Sequence, residues 1–243
     1  MIIPRFIAHR GANRLAPENT LKAFKLAEHS GAKKFECDVL LSQDEVPLIF
    51  HDDTLERCTN GQGLIRETPF STLKTLDAGE GEPIPTLTQL LSWFQDSKML
   101  MNLELKYPHH HAPPEPLVEK VCTQIAPFQN RILISSFNLE ALYTVRDALP
   151  EIKIGLLIDQ ETHHKLGLSG IADYYKKLNA FSIHYDQHLL NPQTIKKLLK
   201  ITPHLLVYTV NDLKTAKILF EQGAHAIFTD EITHIYSEAL SSH

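Results

Sequence analysis

Two carboxylates two residues apart, Glu36 and Asp38, interrupt the apolar run Phe35-Glu36-Cys37-Asp38-Val39. On an extended strand residues i and i+2 share a face, so both acids point one way while Phe35, Cys37 and Val39 point toward whatever covers the sheet's other side. Like charges so placed repel unless a cation lies between them, and oxygen-only ligands suit a hard ion such as Mg2+ or Ca2+. Taken alone, such a pair is more often an exposed, solvated strand face. The pattern recurs, however, at Leu103-Glu104-Leu105-Lys106, which offers Glu104 as a third oxygen ligand and Lys106 as a positive group beside it. A metal next to a lysine suits an anionic substrate.

Further polar residues close other apolar runs. His9-Arg10-Gly11 follows Ile3 to Ala8, His51-Asp52-Asp53 follows Val46 to Phe50, and Ser136-Phe137, Asn211 and Thr229-Asp230 follow later ones. Each has a plain alternative. A histidine at a strand end commonly serves a loop hydrogen bond, Thr229-Asp230 can simply cap a helix, and for Ser136-Phe137 a structural role weighs as much as a functional one. Gathered on one face, these groups would set two histidines, three carboxylates, an arginine and a lysine around one ligand. Histidine suits acid and base work near neutrality because its unperturbed pKa is about 6.5.

A barrel is what could gather them. Asn19 reads as the N-cap of a helix whose apolar stripe is Leu21, Phe24 and Ala27, with Gly31 as its stop. Lys34 to Val39 is the second strand, and a turn at Asp44-Glu45 leads into the extended run Val46 to Phe50. From Thr54 to about Pro85 the periodicity weakens amid glycines and prolines, as expected of an excursion over a site. Thr86 and Gln89 fit a capping box for a helix from Leu87 to Gln95, and Met99 to Leu105 is the next strand. His109-His110-His111-Ala112-Pro113-Pro114 reads as a solvated loop.

Beyond residue 115 the rhythm is regular. Helices near Leu117 to Ala126, Leu139 to Leu149, Ser169 to Leu178, Pro192 to Lys200 and Leu213 to Gln222 alternate with strands. Those strands are Ile132 to Ser135, Ile152 to Ile158, Ala180 to Ile183, Leu205 to Val210 and Ala226 to Phe228, and a final helix follows. With Val46 to Phe50 set aside as an extra hairpin, eight main strands remain. That count predicts a closed (β/α)8 TIM barrel with its active site at the carboxyl ends of the strands. The similarity of Leu26 to Ala32 and Leu219 to Ala224 predicts a repeated helix-to-strand turn.

Composition is compatible with this plan. A chain of 243 residues with 43% hydrophobic and 22% charged residues can fill the core of one barrel domain, residues 1–243, with a small insertion at about 52–85. A formal charge of -5 leaves no basic footprint for nucleic acid. Cys37, Cys58 and Cys122 lack metal-type spacing and read as reduced thiols. No apolar run approaches ~20 residues and the amino terminus has no secretory pattern, so no stable membrane insertion and a cytoplasmic location are expected. Oligomeric state is not legible.

The motifs His9-Arg10-Gly11, Pro17-Glu18-Asn19-Thr20, Glu36-x-Asp38-Val39, His51-Asp52 and Glu104-x-Lys106, in that order, resemble the glycerophosphodiester phosphodiesterase family. Ser136-Phe137, Val210-Asn211 and Thr229-Asp230 extend the match along nearly the whole chain. The resemblance implies a TIM-barrel hydrolase that splits glycerophosphodiesters, small-molecule substrates, into sn-glycerol 3-phosphate and an alcohol. It implies one divalent cation, Mg2+ or Ca2+, on Glu36, Asp38 and Glu104. His9 and His51 are then the acid and base, Arg10 and Lys106 phosphate contacts, and Phe137 and Tyr208 substrate-binding residues. Tyr208 stands where family members usually carry tryptophan, and Ser42 and Glu45 where they often carry threonine and glycine, which bears on substrate fit more than on catalysis.

Other readings compete. A phospholipase D or sphingomyelinase of similar barrel type would need apolar loops facing lipid, and Leu64, Ile65, Phe70 and Leu73 in the excursion could serve. Metal-dependent amidohydrolases also use TIM barrels but typically present His-x-His on the first strand, where this chain has His9-Arg10-Gly11. A binding module that had lost its chemistry would show a replaced ligand or histidine, and none is replaced.

Overall fold

A computed structural model of the chain describes residues 3–107 and 115–233. The His109 to Pro114 loop and nearly all of the predicted final helix lie outside those residues. Eight parallel strands form the closed ring: β1 (Phe6–Ala8), β2 (Lys34–Leu41), β4 (Leu100–Leu105), β5 (Ile132–Ser136), β6 (Lys153–Ile158), β7 (Ser182–Asp186), β8 (Leu205–Tyr208) and β9 (Ala226–Thr229). The ring closes where β1 pairs with β9, Ile7 opposite Phe228, and with β2, Ala8 opposite Phe35. β3 (Pro47–Ile49) stands outside it, antiparallel to the upper part of β2.

The helices are α1 (Leu21–His29), the short α2 (Phe70–Leu73), α3 (Leu87–Asp96), α4 (Glu115–Ile125), α5 (Leu139–Ala148), α6 (Gln160–Lys177), α7 (Pro192–Leu198) and α8 (Leu213–Glu221). Outward-facing strand residues meet them in one large core. Phe35, Cys37 and Val39 are completely buried there, and Phe35 packs on Phe24 of α1 at 4.7 Å and on Phe94 of α3 at 5.9 Å between ring centroids. The alternation in β2 therefore turns Glu36 and Asp38 into the barrel.

Several local predictions hold and others shift. Thr86 and Gln89 form the expected capping box on α3, with Gln89 N–H donating to Thr86 Oγ1 and Thr86 N–H to Gln89 Oε1. The repeated turn is real: Ala32 N–H donates to Ala27 and Gly31 N–H to Glu28, as Ala224 does to Leu219 and Gly223 to Phe220. Both are Schellman ends with a glycine at positive φ, 90° at Gly31 and 102° at Gly223. The α1 cap is Thr20, whose hydroxyl accepts from Ala23 N–H, and not Asn19. Asn19 lies at φ 58°, in the left-handed region, and its amide is engaged across the barrel mouth.

The seventh strand runs Ser182–Asp186, later than the predicted Ala180 to Ile183, because Ala180 N–H still closes the end of α6 on Tyr175. α6 begins nine residues before the predicted Ser169. Asp159 caps it through Thr162 N–H, and Gly167, at φ 58°, kinks it so that the apolar pattern resumes only afterwards. The first strand is shorter than Ile3 to Ala8, and the eighth stops at Tyr208 instead of Val210, whose N–H bonds Phe228 instead.

The excursion from Thr54 to Pro85 carries its own small core. Leu55, Ile65, Leu73 and Ile84 pack on Leu40, Leu48 and Phe50 of the β2–β3 hairpin. Ile65 and Leu73 are thus buried and do not face outward. Among the described residues no helix is long and apolar enough to cross a membrane.

Candidate active site

Barrel geometry explains why the predicted groups converge. β1 ends at Ala8 and delivers His9 and Arg10, β2 and β4 turn Glu36, Asp38 and Glu104 inward, and Lys106 follows β4. His51 arrives differently. The β2–β3 hairpin rises beyond the ring and its second strand descends, so that Phe50 N–H bonds the Asp38 carbonyl and His51 meets the mouth from the side.

Each histidine is pinned at one nitrogen. His9 Nδ1 lies 2.7 Å from Asp230 Oδ1, and His51 Nδ1 lies 2.5 Å from Asp52 Oδ1. A carboxylate only accepts, so each Nδ1 carries the proton and each Nε2 is left to face the cavity. His9 Nε2 is 3.9 Å from Glu36 Oε2, and His51 Nε2 is 3.1 Å from Lys106 Nζ. Asp230 is fixed in turn by Asn13 and Asn211, whose amides donate to its two oxygens. Burial would raise the Asp230 pKa, but these bonds and His9 hold it well below the ordinary carboxylate range.

Between the histidines sits the acidic cluster. One oxygen from each of Glu36, Asp38 and Glu104 lies within 4.8 Å of the others, and no other such trio of metal-ligating side chains occurs among the described residues. Glu36 and Asp38 are 3% and 1% exposed and so held out of water, while Glu104 is partly open to the cavity. Burial, then Asp38 and Glu104, push the Glu36 carboxyl well above its usual pKa, while Asp38 is held below its own by Lys106, Arg10 and His51 against the effect of burial. Glu36 Oε1 is buried without a hydrogen-bond partner. Three hard oxygen donors, one of them unsatisfied, fit a divalent cation.

The cluster's other bonds fix its orientation. Arg10 N–H donates to Glu36 Oε2 at 2.9 Å, from a residue held at φ 55°. Asn19 clamps Asp38 twice, its amide donating to Oδ2 at 2.8 Å and its carbonyl accepting from Asp38 N–H at 3.2 Å. Lys106 Nζ donates to Glu104 Oε1 at 3.0 Å and lies 4.0 Å from Asp38. Arg10 Nε lies 3.4 Å from Asp38, and its NH1 donates to Glu18. Burial works to lower both cations' pKa values, but the surrounding carboxylates outweigh it and keep both raised.

His9, Arg10, Glu36, His51, Glu104 and Lys106 line a cavity of about 250 Å³ whose remaining wall mixes Phe137, Leu157, Tyr208 and Phe228 with the polar Asn102, His184 and Thr209. Phe137 and Tyr208 meet edge to face there at 6.2 Å, with Lys106 Nζ 5.9 Å from the Phe137 ring. Ser136 is different. It is fully buried, and its hydroxyl donates to the Leu105 carbonyl, which ties β5 to β4.

Sequence reading left several residues without a role. Asp52 and Asp230 follow the strand-end motifs directly, but only the folded chain sets them on the histidines. Asn19 reads locally as a helix cap, and Glu18 carries no local signal beyond its place in the Pro17-Glu18-Asn19-Thr20 motif. Arg57 fell inside the stretch of weak periodicity. Its guanidinium donates to Glu18 Oε1 and Oε2 at 2.7 and 2.8 Å and to Asp52 Oδ1 and Oδ2 at 2.8 and 2.5 Å. The available signal was its place five residues after Asp52.

The model of the glycerophosphoryl diester phosphodiesterase family matches residues 9–234. A glycerophosphodiester phosphodiesterase of Caldanaerobacter subterraneus subsp. tengcongensis is 33% identical over 239 residues, 93% of each chain. Among solved structures, an Oleispira antarctica phosphodiesterase in complex with the product sn-glycerol-3-phosphate is 33% identical, with a TM-score of 0.82 over 98% of this chain and 97% of that one. A glycerophosphodiester phosphodiesterase from Agrobacterium tumefaciens is 26% identical, with a TM-score of 0.78 over 97% and 100% of the two chains.

Proposed function

Because the chain belongs to the glycerophosphoryl diester phosphodiesterase family, and so is a phosphoric diester hydrolase, we propose that it cleaves glycerophosphodiesters to sn-glycerol 3-phosphate and an alcohol by two-histidine acid and base catalysis. The observation that carries this reading is the pair of histidines lining one cavity, His9 with its Nε2 3.9 Å from Glu36 and His51 with its Nε2 3.1 Å from Lys106. Residues 1–243 act as one barrel domain, with the segment at about 52–85 as its insertion, and the expected location is cytoplasmic.

Glu36, Asp38 and Glu104 would hold one Mg2+ or Ca2+, which when bound would supply positive charge against the phosphate. Arg10 and Lys106 contact the nonbridging oxygens, Arg10 as a planar fork and Lys106 as a point charge. One histidine accepts the proton of the attacking hydroxyl at its bare Nε2, while the other enters the step as the imidazolium, with a second proton on Nε2, and donates that proton to the departing alkoxide. Asp230 and Asp52 hold the Nδ1–H of the two rings throughout. Phe137 and Tyr208 shield the site from water on the side of the alcohol. A lipid-facing alternative is disfavoured because Ile65 and Leu73 are buried and Phe70 packs against the insertion's core, although Leu64 is only half-buried.

Purified protein assayed on glycerophosphocholine should lose turnover in excess EDTA and recover it with Mg2+ or Ca2+. His9→Ala and His51→Ala should each fall by ~10²–10⁴-fold on this alkyl ester. On a p-nitrophenyl ester, whose leaving group needs no proton, only the variant lacking the acid should recover. If neither variant distinguishes the two esters, the two-histidine mechanism is wrong.

A further inference from the structure

Arg57 lies on the inserted excursion and touches neither the acidic cluster nor the cavity wall, yet its fork joins the partners of two functional groups. On one side it grips both oxygens of Glu18, which also accepts from Arg10 NH1 at 2.8 Å. On the other it grips both oxygens of Asp52, which holds His51 Nδ1. The result is an unbroken chain of charge-assisted bonds, Arg10 to Glu18 to Arg57 to Asp52 to His51.

An isolated surface ion pair contributes little, and Arg57 is 47% exposed. Its setting is different, because both carboxylates are already committed on their inner sides. Without Arg57 two carboxylates would face one another with no cation between them. Each would be free to swing, and each swing would displace the group it holds. A lysine could neutralise one carboxylate but could not bridge both with a rigid planar fork.

We propose that Arg57 is a positioning residue that fixes the phosphate-binding Arg10 and the acid or base His51 relative to each other, and that carrying this fork is a function of the insertion. This inference rests on the roles given above to Arg10 and His51. It acts on catalysis through geometry, where misplacement by about 1 Å can cost roughly 10²-fold. Loss on the Asp52 side should appear in kcat and loss on the Glu18 side in KM.

The test is steady-state kinetics on glycerophosphocholine for Arg57→Ala, Arg57→Lys, Asp52→Asn and the Arg57→Ala/Asp52→Asn double variant, with His51→Ala as reference. Thermal unfolding of each gives the folded fraction. Both Arg57 variants should keep the parent fold while kcat drops roughly 10–10²-fold and KM rises, and the double variant should be little worse than Asp52→Asn in kcat because both changes act through one histidine. The inference is overturned if Arg57→Ala and Arg57→Lys stay within about twofold of the parent per folded molecule, or if the two changes multiply fully in the double variant. If His51→Ala is itself fully active, the premise falls and the inference with it. A lowered unfolding temperature with unchanged kcat and KM would reveal a merely structural role and would also overturn it.

Discussion

At the scale of single residues, the site is a set of charges each made tolerable by its neighbours. Lys106 is bonded to Glu104, close to Asp38 and in contact with His51. If it reads the phosphate, Lys106→Ala should lower kcat/KM by a similar factor on choline, ethanolamine and glycerol diesters. A loss confined to one alcohol would show that it reads the leaving group. Asp230 gives a pH-dependent prediction. Its pKa is lowered in the folded chain, so its contribution to stability is present above the unfolded value of about 4 and is lost as pH falls through the folded one. Asp230→Asn should therefore destabilise the protein at neutral pH and have little effect in strong acid, as denaturant titrations at the two extremes would show. The residues of this site were legible in uneven measure. Glu36, Asp38 and Glu104 announce themselves because strand alternation is a local rule, and Asp52 stands beside His51 in the chain. Asp230 sits 221 residues from His9, and Asn19 spends its amide on Asp38 instead of on the helix beside it. Such choices are tertiary and leave no local trace.

At the scale of elements, turns and caps decide where the side chains arrive. Gly11 follows the strained Arg10 and lies at φ 84°, with an added Cβ only 2.8 Å from the Cβ of Ala23 on α1. Gly11→Ala combines an unfavourable backbone angle with a clash against a rigid helix, so it should destabilise by upwards of about 1 kcal/mol. It should also disturb Arg10 N–H at Glu36, and unfolding with activity measured in parallel would test both effects. Thr86→Ala removes the capping box of α3 and should cost about 1 kcal/mol without touching kcat. Elements with strong periodicity were readable, and α3 and α8 fall within a residue of expectation. α6 is not, because its first two turns open with Gln160-Glu161-Thr162-His163-His164-Lys165, polar on all sides, and Gly167 breaks the phase before Ile171 restores it. The insertion was recognised as a departure from the barrel rhythm, but its small core depends on contacts with Leu40, Leu48 and Phe50 that lie outside it.

At the scale of the whole molecule, the barrel count was legible because each strand and helix repeats one pattern, whereas the closure joining its ends was an inference from number alone. That closure is where β1 meets β9, and it joins two chain segments more than two hundred residues apart. The same seam assembles the His9–Asp230 pair. Contacts of such sequence separation carry a large loop-closure entropy and form after local ones. An intermediate with seven of the eight ring pairings formed and all helices docked would look nearly native by circular dichroism and still lack one of its two histidine dyads. Refolding followed by ellipticity should therefore run ahead of recovered turnover, and the lag should disappear when refolding is started from a state in which β1 and β9 have been cross-linked. The seam thus makes enzymatic activity a clock for the last step of folding.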